Sequence, residues 1–144
     1  MQVFIIGTAL ETAKILDRLR LNKQIIECQQ ILDALNGKKA WSNHPCTLQY
    51  KEHQKWLVYY MNCLSFYIKG DTVEAGRYSY LASTIKPEFH TSEYLYQMKR
   101  RLYTKNNKHY SQWKDLGESQ INWYFVNGEW KYYLNGKQVK KSND

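Results

Sequence analysis

The chain has 144 residues, 43% hydrophobic and 15% aromatic, with 13 tyrosines and a formal net charge of +8. That apolar content suits one domain with a single core, residues 1–144, and excludes a disordered chain. Basic, aromatic-rich composition makes nucleic acid the leading partner class, set against the plainer reading that the cations only solubilise the surface.

Gln2 to Ile6 reads as a short strand or packed arm. Thr8-Ala9-Leu10-Glu11 has the spacing of a capping box, so a helix is expected from there to Asn36, with Gly37 as its left-handed stop. At about 100° per residue, Ile15, Leu16, Leu19 and Ile26 share one face. Leu21, Ile25, Cys28, Leu32 and Leu35 form a second, and Arg20, Lys23, Glu27 and Gln30 lie between them. The expectation is a helix packed through two apolar faces with a charged strip left open.

Pro45 suits a first helical turn after Ser42 or Asn43, and the following helix should carry Leu48, Trp56, Leu57, Tyr60, Leu64 and Tyr67 to Gly70. Thr72 to Ser83 is expected to be helical and Lys86 to His90 a loop. Ser92 to Thr104 is expected to be a helix capped by Thr91 or Ser92. Asn106 to Leu116 should form a short helix stopped by Gly117. The helical part thus spans 8–117.

The character then changes. Asn127-Gly128 and Asn135-Gly136 each separate aromatic strand-formers, which is a strong hairpin signal. Two-residue turns put Phe125 opposite Trp130, and Trp123 opposite Tyr132, which faces Val139. That face should pack on the helices, leaving Tyr124, Lys131, Tyr133, Gln138 and Lys140 on the other. The hairpin region spans 120–141, and the end from Lys140 should fray. The fold class expected is mainly α: a helical bundle with an N-terminal extended segment and a C-terminal hairpin or meander.

Cys28, Cys46 and Cys63 are odd in number and form no CxxC pair, which favours free buried thiols over a disulfide framework. The start lacks the basic region and long apolar core of a signal peptide. Trp56 to Ile68 is too short, and too interrupted by Asn62 and Ser65, to span a bilayer. A soluble, cytoplasmic monomer without membrane contact is expected.

Three groups of residues could carry chemistry. Lys23 and Glu27, beside Arg20, are an i,i+4 pair; as a surface salt bridge they contribute a few tenths of a kcal/mol, and as part of a cleft they supply one carboxylate among cations. Burial would raise the pKa of that carboxylate and the cations would lower it. His44 either caps a helix or contacts a phosphate or base at a pocket mouth. Cations and rings interleave at Lys99, Arg100, Arg101, Tyr103, Lys105, Lys108, His109 and Tyr110, and again at Lys131, Tyr133 and Lys140. Such segments can hold phosphates and stack on bases, or can be solvated helix faces. No nucleotide-binding glycine loop, zinc motif or nucleophile elbow occurs, so no cofactor or metal is expected.

The stretch Leu16 to Glu27, the Trp41-Ser42-Asn43-His44-Pro45 turn and the closing Asn122 to Val126 with Trp130-Lys131-Tyr132-Tyr133 resemble phage proteins grouped with the pyrimidine-dimer DNA glycosylases, the endonuclease V type of UV-repair enzyme. The resemblance implies a mainly helical fold whose N-terminus and first helix face double-stranded DNA. It implies an N-terminal α-amine that attacks the sugar C1′ and a helix carboxylate, here Glu27, that stabilises the cationic sugar. It also implies Arg20 and Lys23 as phosphate or sugar contacts and the Trp130 to Tyr133 segment near the lesion; Arg18 is a further candidate DNA contact. The family's enzymes expose the amine of a small second residue after Met removal, whereas Gln2 hinders that removal. Either the Met1 amine serves, or Lys23 forms the imine, or the lyase step is missing. As classes, α-amines titrate near ~8 and lysines near ~10.4, so the former is more readily neutral and nucleophilic.

The leading functional expectation is a DNA glycosylase, with or without AP-lyase activity, on damaged or modified bases. Its alternatives are a non-catalytic DNA-binding protein of the same fold and a phage protein that binds a host protein.

Overall fold

A computed structural model describes residues 1–69 and 82–141. Its elements are α1 (Ala9–Ile15), α2 (Arg18–Leu35), α3 (Pro45–Gln49), α4 (Gln54–Lys69), α5 (Ser92–Lys105), a 3-10 helix at Ser111–Leu116, and strands β1 (Asn122–Val126), β2 (Glu129–Leu134) and β3 (Lys137–Val139). The protein is mainly helical with a three-stranded antiparallel sheet at its C-terminal end. Of the helix expected over 72–83, 72–81 lie outside the described residues, and Ala82 and Ser83 are not helical; of the frayed end expected over 140–144, 142–144 lie outside them, whereas Lys141 pairs with Glu93 at 3.2 Å. No helix of the described residues is long and apolar enough to cross a membrane.

The single helix expected from Thr8 to Asn36 is two. Thr8 caps α1 with a complete capping box, but Leu16 leaves helical geometry and Asp17 starts α2 by accepting from the Arg20 N–H at 3.4 Å. The break is held from outside. Tyr110 accepts from the Asp17 N–H at 3.0 Å and donates to the Asp17 carboxylate, and His109 Nε2 lies 2.7 Å from the Ile15 carbonyl. The helix expected from Pro45 to Gly70 is likewise split, by a turn between α3 and α4. Gly37 follows α2 at φ 113°, a backbone region that favours glycine.

Of the second face, Leu21, Cys28 and Leu32 are buried and Ile25 and Leu35 are partly buried, on a helix that packs against α4. Of the first, Leu16 is buried and Ile15 partly buried ahead of α2, but on α2 itself Leu19 is 61% and Ile26 57% exposed. So α2 has one packed side, and Lys23 lies on its open side between these two apolar residues.

The hairpin register is the expected one, with Phe125 opposite Trp130, Trp123 opposite Tyr132, and Tyr132 opposite Val139. The Trp123–Phe125 face meets Phe89 and Tyr94 through ring contacts. The other face is not open along β1. Tyr124 and Val126 are buried, because α3 covers that side of the strand. The outer edge of β1 is closed by two glutamines. Gln2 exchanges hydrogen bonds of 3.1 Å with both the N–H and the carbonyl of Trp123, and Gln49 accepts from the Phe125 N–H at 2.6 Å. An unpaired edge strand is thereby blocked from further pairing. Cys28, Cys46 and Cys63 are free and buried, as expected.

Candidate active site

Residues 2–6 form no strand. They are an extended arm threaded through the core, with Gln2, Val3, Phe4, Ile5 and Ile6 all buried. A buried arm outside a sheet must find partners for its peptide groups among side chains. Gln24 accepts from the Phe4 N–H at 2.9 Å and donates to the Gln2 carbonyl at 2.8 Å. Tyr94 donates to the Val3 carbonyl at 3.2 Å, Tyr60 to the Phe4 carbonyl, Tyr124 to the Met1 carbonyl, and Thr12 accepts from the Ile6 N–H at 3.1 Å. Helices α1, α2, α4 and α5 and strand β1 thus all hold the arm. Its first residue, half-buried Met1, emerges beside α2.

Glu27 meets it there. Gln24 Nε2 also donates to Glu27 Oε2 at 3.0 Å. Half-burial raises the Glu27 pKa above its ordinary 4.5, opposed by the N-terminal ammonium, Arg20, Lys105 and the Gln2 main chain. Desolvation wins that contest. Arg20 and Lys105 come from different helices, yet both stand over the buried Phe4 ring, at 5.4 and 5.9 Å from its centre. Lys105 is exposed by area, but lost hydration at its ammonium, then Arg101 and Arg20, lower its pKa to about 8. The cluster is one carboxylate among several cations.

His44 closes another side. Its Nδ1 accepts from the Cys46 N–H at 3.1 Å and caps α3, so its proton sits on Nε2. Burial and then the N-terminal ammonium push its pKa down to about 4. It is therefore a neutral donor at neutral pH. Its ring meets Tyr124 edge-on at 5.7 Å, and Tyr124 meets Tyr133 at 5.5 Å.

Met1, Arg20, Lys23, Glu27, His44 and Lys105 are thus brought together, with Tyr133 joined through Tyr124 and half-buried Lys131 paired to Tyr124 across the strands. Arg18 is exposed about 180° around α2 from Glu27. The basic surface expected at Arg100 and Arg101 is corrected: they are 5% and 7% exposed. Arg100 donates to Gln97 Oε1 at 3.0 Å and to the Glu118 carbonyl at 2.6 Å. Arg101 donates to Asn122 Oδ1 at 3.0 Å and the Ser119 carbonyl at 3.2 Å. Both bind the chain that leads into β1, because its carbonyls have no ladder partners. Gln24 and Tyr124 carry no sequence signal for the parts they take. Gln24 lies three residues before Glu27, and only the arm gives that spacing meaning.

Residues 1–65 match the pyrimidine dimer DNA glycosylase family. The match supports, over that part of the chain, the resemblance read from the sequence. It covers Met1, Arg20, Lys23, Glu27 and His44, but not the stretch that supplies Arg101, Lys105, Lys131 and Tyr133. No curated protein and no solved structure matches the chain.

Proposed function

We propose that this protein is a DNA N-glycosylase with AP-lyase activity on damaged duplex DNA, with the Met1 α-amine as nucleophile and Glu27 as the carboxylate that stabilises the developing sugar cation. The observation that carries the reading is the shared anchor of arm and carboxylate: Gln24 bonds both Gln2 and Glu27. It ties the position of the terminal amine to that of the acid.

The chemistry follows from these groups. The neutral amine lone pair forms a bond to C1′ as the glycosidic C–N bond breaks, and the base leaves with that electron pair and takes a proton. The amine loses a proton, the sugar ring opens, and an imine joins Met1 to C1′. Loss of a C2′ proton then expels the 3′ phosphate. The carboxylate stabilises positive charge on the sugar in the first step and is placed to accept a proton in the later ones. Arg20, Lys23 and Lys105 supply the positive field for flanking phosphates. Access to C1′ in a duplex needs a distorted site or an extruded nucleotide.

Borohydride trapping on UV-irradiated and abasic duplexes tests this reading. A covalent adduct whose peptide map places the sugar on the α-amine is expected. An adduct on Lys23 reassigns the nucleophile, and none on either substrate leaves DNA binding without chemistry.

A further inference from the structure

We infer that Gln2 is a positioning residue for the nucleophile: its side chain clamps the arm to β1 and fixes the amine of a retained Met1, not an amine of residue 2, at the Glu27 site. The inference rests on the glycosylase reading for the chemistry of that amine, and on the arm's own contacts for its position.

Gln2 is 3% exposed, and a polar side chain that deep must have its groups paired. Its Oε1 accepts from the Trp123 N–H at 3.1 Å, and its Nε2 donates to the Trp123 carbonyl at 3.1 Å and to the Tyr94 hydroxyl at 3.2 Å. A side-chain amide carries the donor and the acceptor of a peptide group, so it stands in for a strand residue opposite Trp123. The rest of the arm cannot do this, because Val3, Phe4, Ile5 and Ile6 are apolar. A slip of one residue, about 3.3 Å of extended chain, would set Met1 or Val3 against Trp123 with neither bond made. The clamp therefore fixes the register of the arm, and with it how far Met1 extends.

That register decides what Glu27 meets. The Met1 carbonyl accepts from the Tyr124 hydroxyl, and the Gln2 main chain hydrogen-bonds the Glu27 carboxylate. With Met1 in place, the group that meets Glu27 is a neutral peptide N–H, and the amine lies one residue further out, at a half-buried position. Without Met1, that N–H becomes the amine itself, enclosed with the carboxylate. Contact with an opposite charge favours the ammonium, which has no lone pair to offer C1′. Gln2 thus acts twice: its bulk hinders removal of Met1, and its amide sets the depth of the Met1 amine.

The test compares three forms of the full chain: as expressed, with Gln2→Leu, and without Met1, so that Gln2 comes first. The last is released from a cleavable fusion and assayed before its side chain cyclises. Intact mass should show Met1 on the expressed chain. At matched occupancy of an abasic duplex, borohydride trapping on the Gln2-first chain should fall at least about tenfold, and its pH profile should move up by about one unit or more, as for an amine paired with a carboxylate. Without DNA, its amine should be acylated about tenfold more slowly than that of Met1, for the same reason. Gln2→Leu keeps Met1 but lacks the clamp, so its trapping should fall at unchanged DNA affinity while the Trp123 N–H loses protection from hydrogen exchange. If Gln2→Leu does not fold, the Gln2-first chain still decides, because its clamp is intact. An expressed chain without Met1, a Gln2-first amine acylated as fast as that of Met1, or wild-type trapping in Gln2→Leu overturns the inference. Equal adducts in all three forms overturn it and leave the glycosylase reading standing. No adduct in any form, with the Gln2-first amine protected, overturns the glycosylase reading and leaves the clamp standing.

Discussion

Gln24 Nε2 donates to the Gln2 carbonyl at 2.8 Å and to Glu27 Oε2 at 3.0 Å, while its Oε1 accepts from the Phe4 N–H at 2.9 Å. One buried amide therefore sets the arm and the carboxylate in a single frame. Gln24→Leu should cost about 2–4 kcal/mol in denaturant melts, because it leaves two buried arm groups without partners. It should also slow base release beyond any loss of DNA affinity, since amine and acid lose their common support. A variant that melts normally would remove Gln24 from this part.

Glu27→Gln tests the acid separately. Base release should fall by about two to three decades, as for loss of an aligned charge in a water-poor site, with DNA binding kept or tightened. Stability should move the other way. Because burial raises the Glu27 pKa above 4.5, the folded chain holds this proton more tightly than the unfolded chain. Its stabilising contribution is full below the unfolded value and is lost as pH rises through the raised one. Glu27→Gln should thus melt at or above the wild-type temperature at pH 7, with the gap closing toward pH 4. Thermal melts across that range, read beside single-turnover assays, measure both effects.

Lys105 should be an unusually reactive amine. With its pKa near 8, it is about half neutral at pH 8, where an ordinary lysine near ~10.4 is almost fully charged. Brief acylation at pH 8 followed by peptide mapping should modify Lys105 ahead of other exposed lysines. The Glu27 carboxylate raises the Lys105 pKa, so Glu27→Gln should increase that reactivity further. Uniform labelling of the surface lysines would contradict the crowded cation cluster.

Arg100→Ala and Arg101→Ala should act on folding. Each removes charged hydrogen bonds to main-chain or side-chain oxygens near β1, a loss of about 1.5–3 kcal/mol per bond. Lys23→Ala should instead leave the melting temperature unchanged and lower the salt dependence of DNA binding by about one counterion. If the arginine variants melt normally and bind DNA less tightly in a salt-dependent way, their burial has been misread.

Local chemistry was enough to reveal several elements. The Asn-Gly pairs set the hairpin register, Thr8 with Glu11 marked a helix start, and Thr91 capped α5, since turn and cap signals act within four residues. Arg20, Lys23 and Glu27 could be grouped because helical periodicity puts them on one strip. Tertiary structure decided what that strip faces. Leu19 and Ile26 carry the same apolar signal as Leu32 but stay exposed, because no element among the described residues packs on that side of α2. The helix break at Asp17 depends on Tyr110, 93 residues away. The arrival of Met1, Lys105 and Tyr124 around Glu27 depends on the buried arm. Arg100 and Arg101 read as surface cations until the carbonyls before β1 claimed them. Periodicity reports which side chains share a face, whereas burial and partnership are set by which distant segment comes to lie against that face.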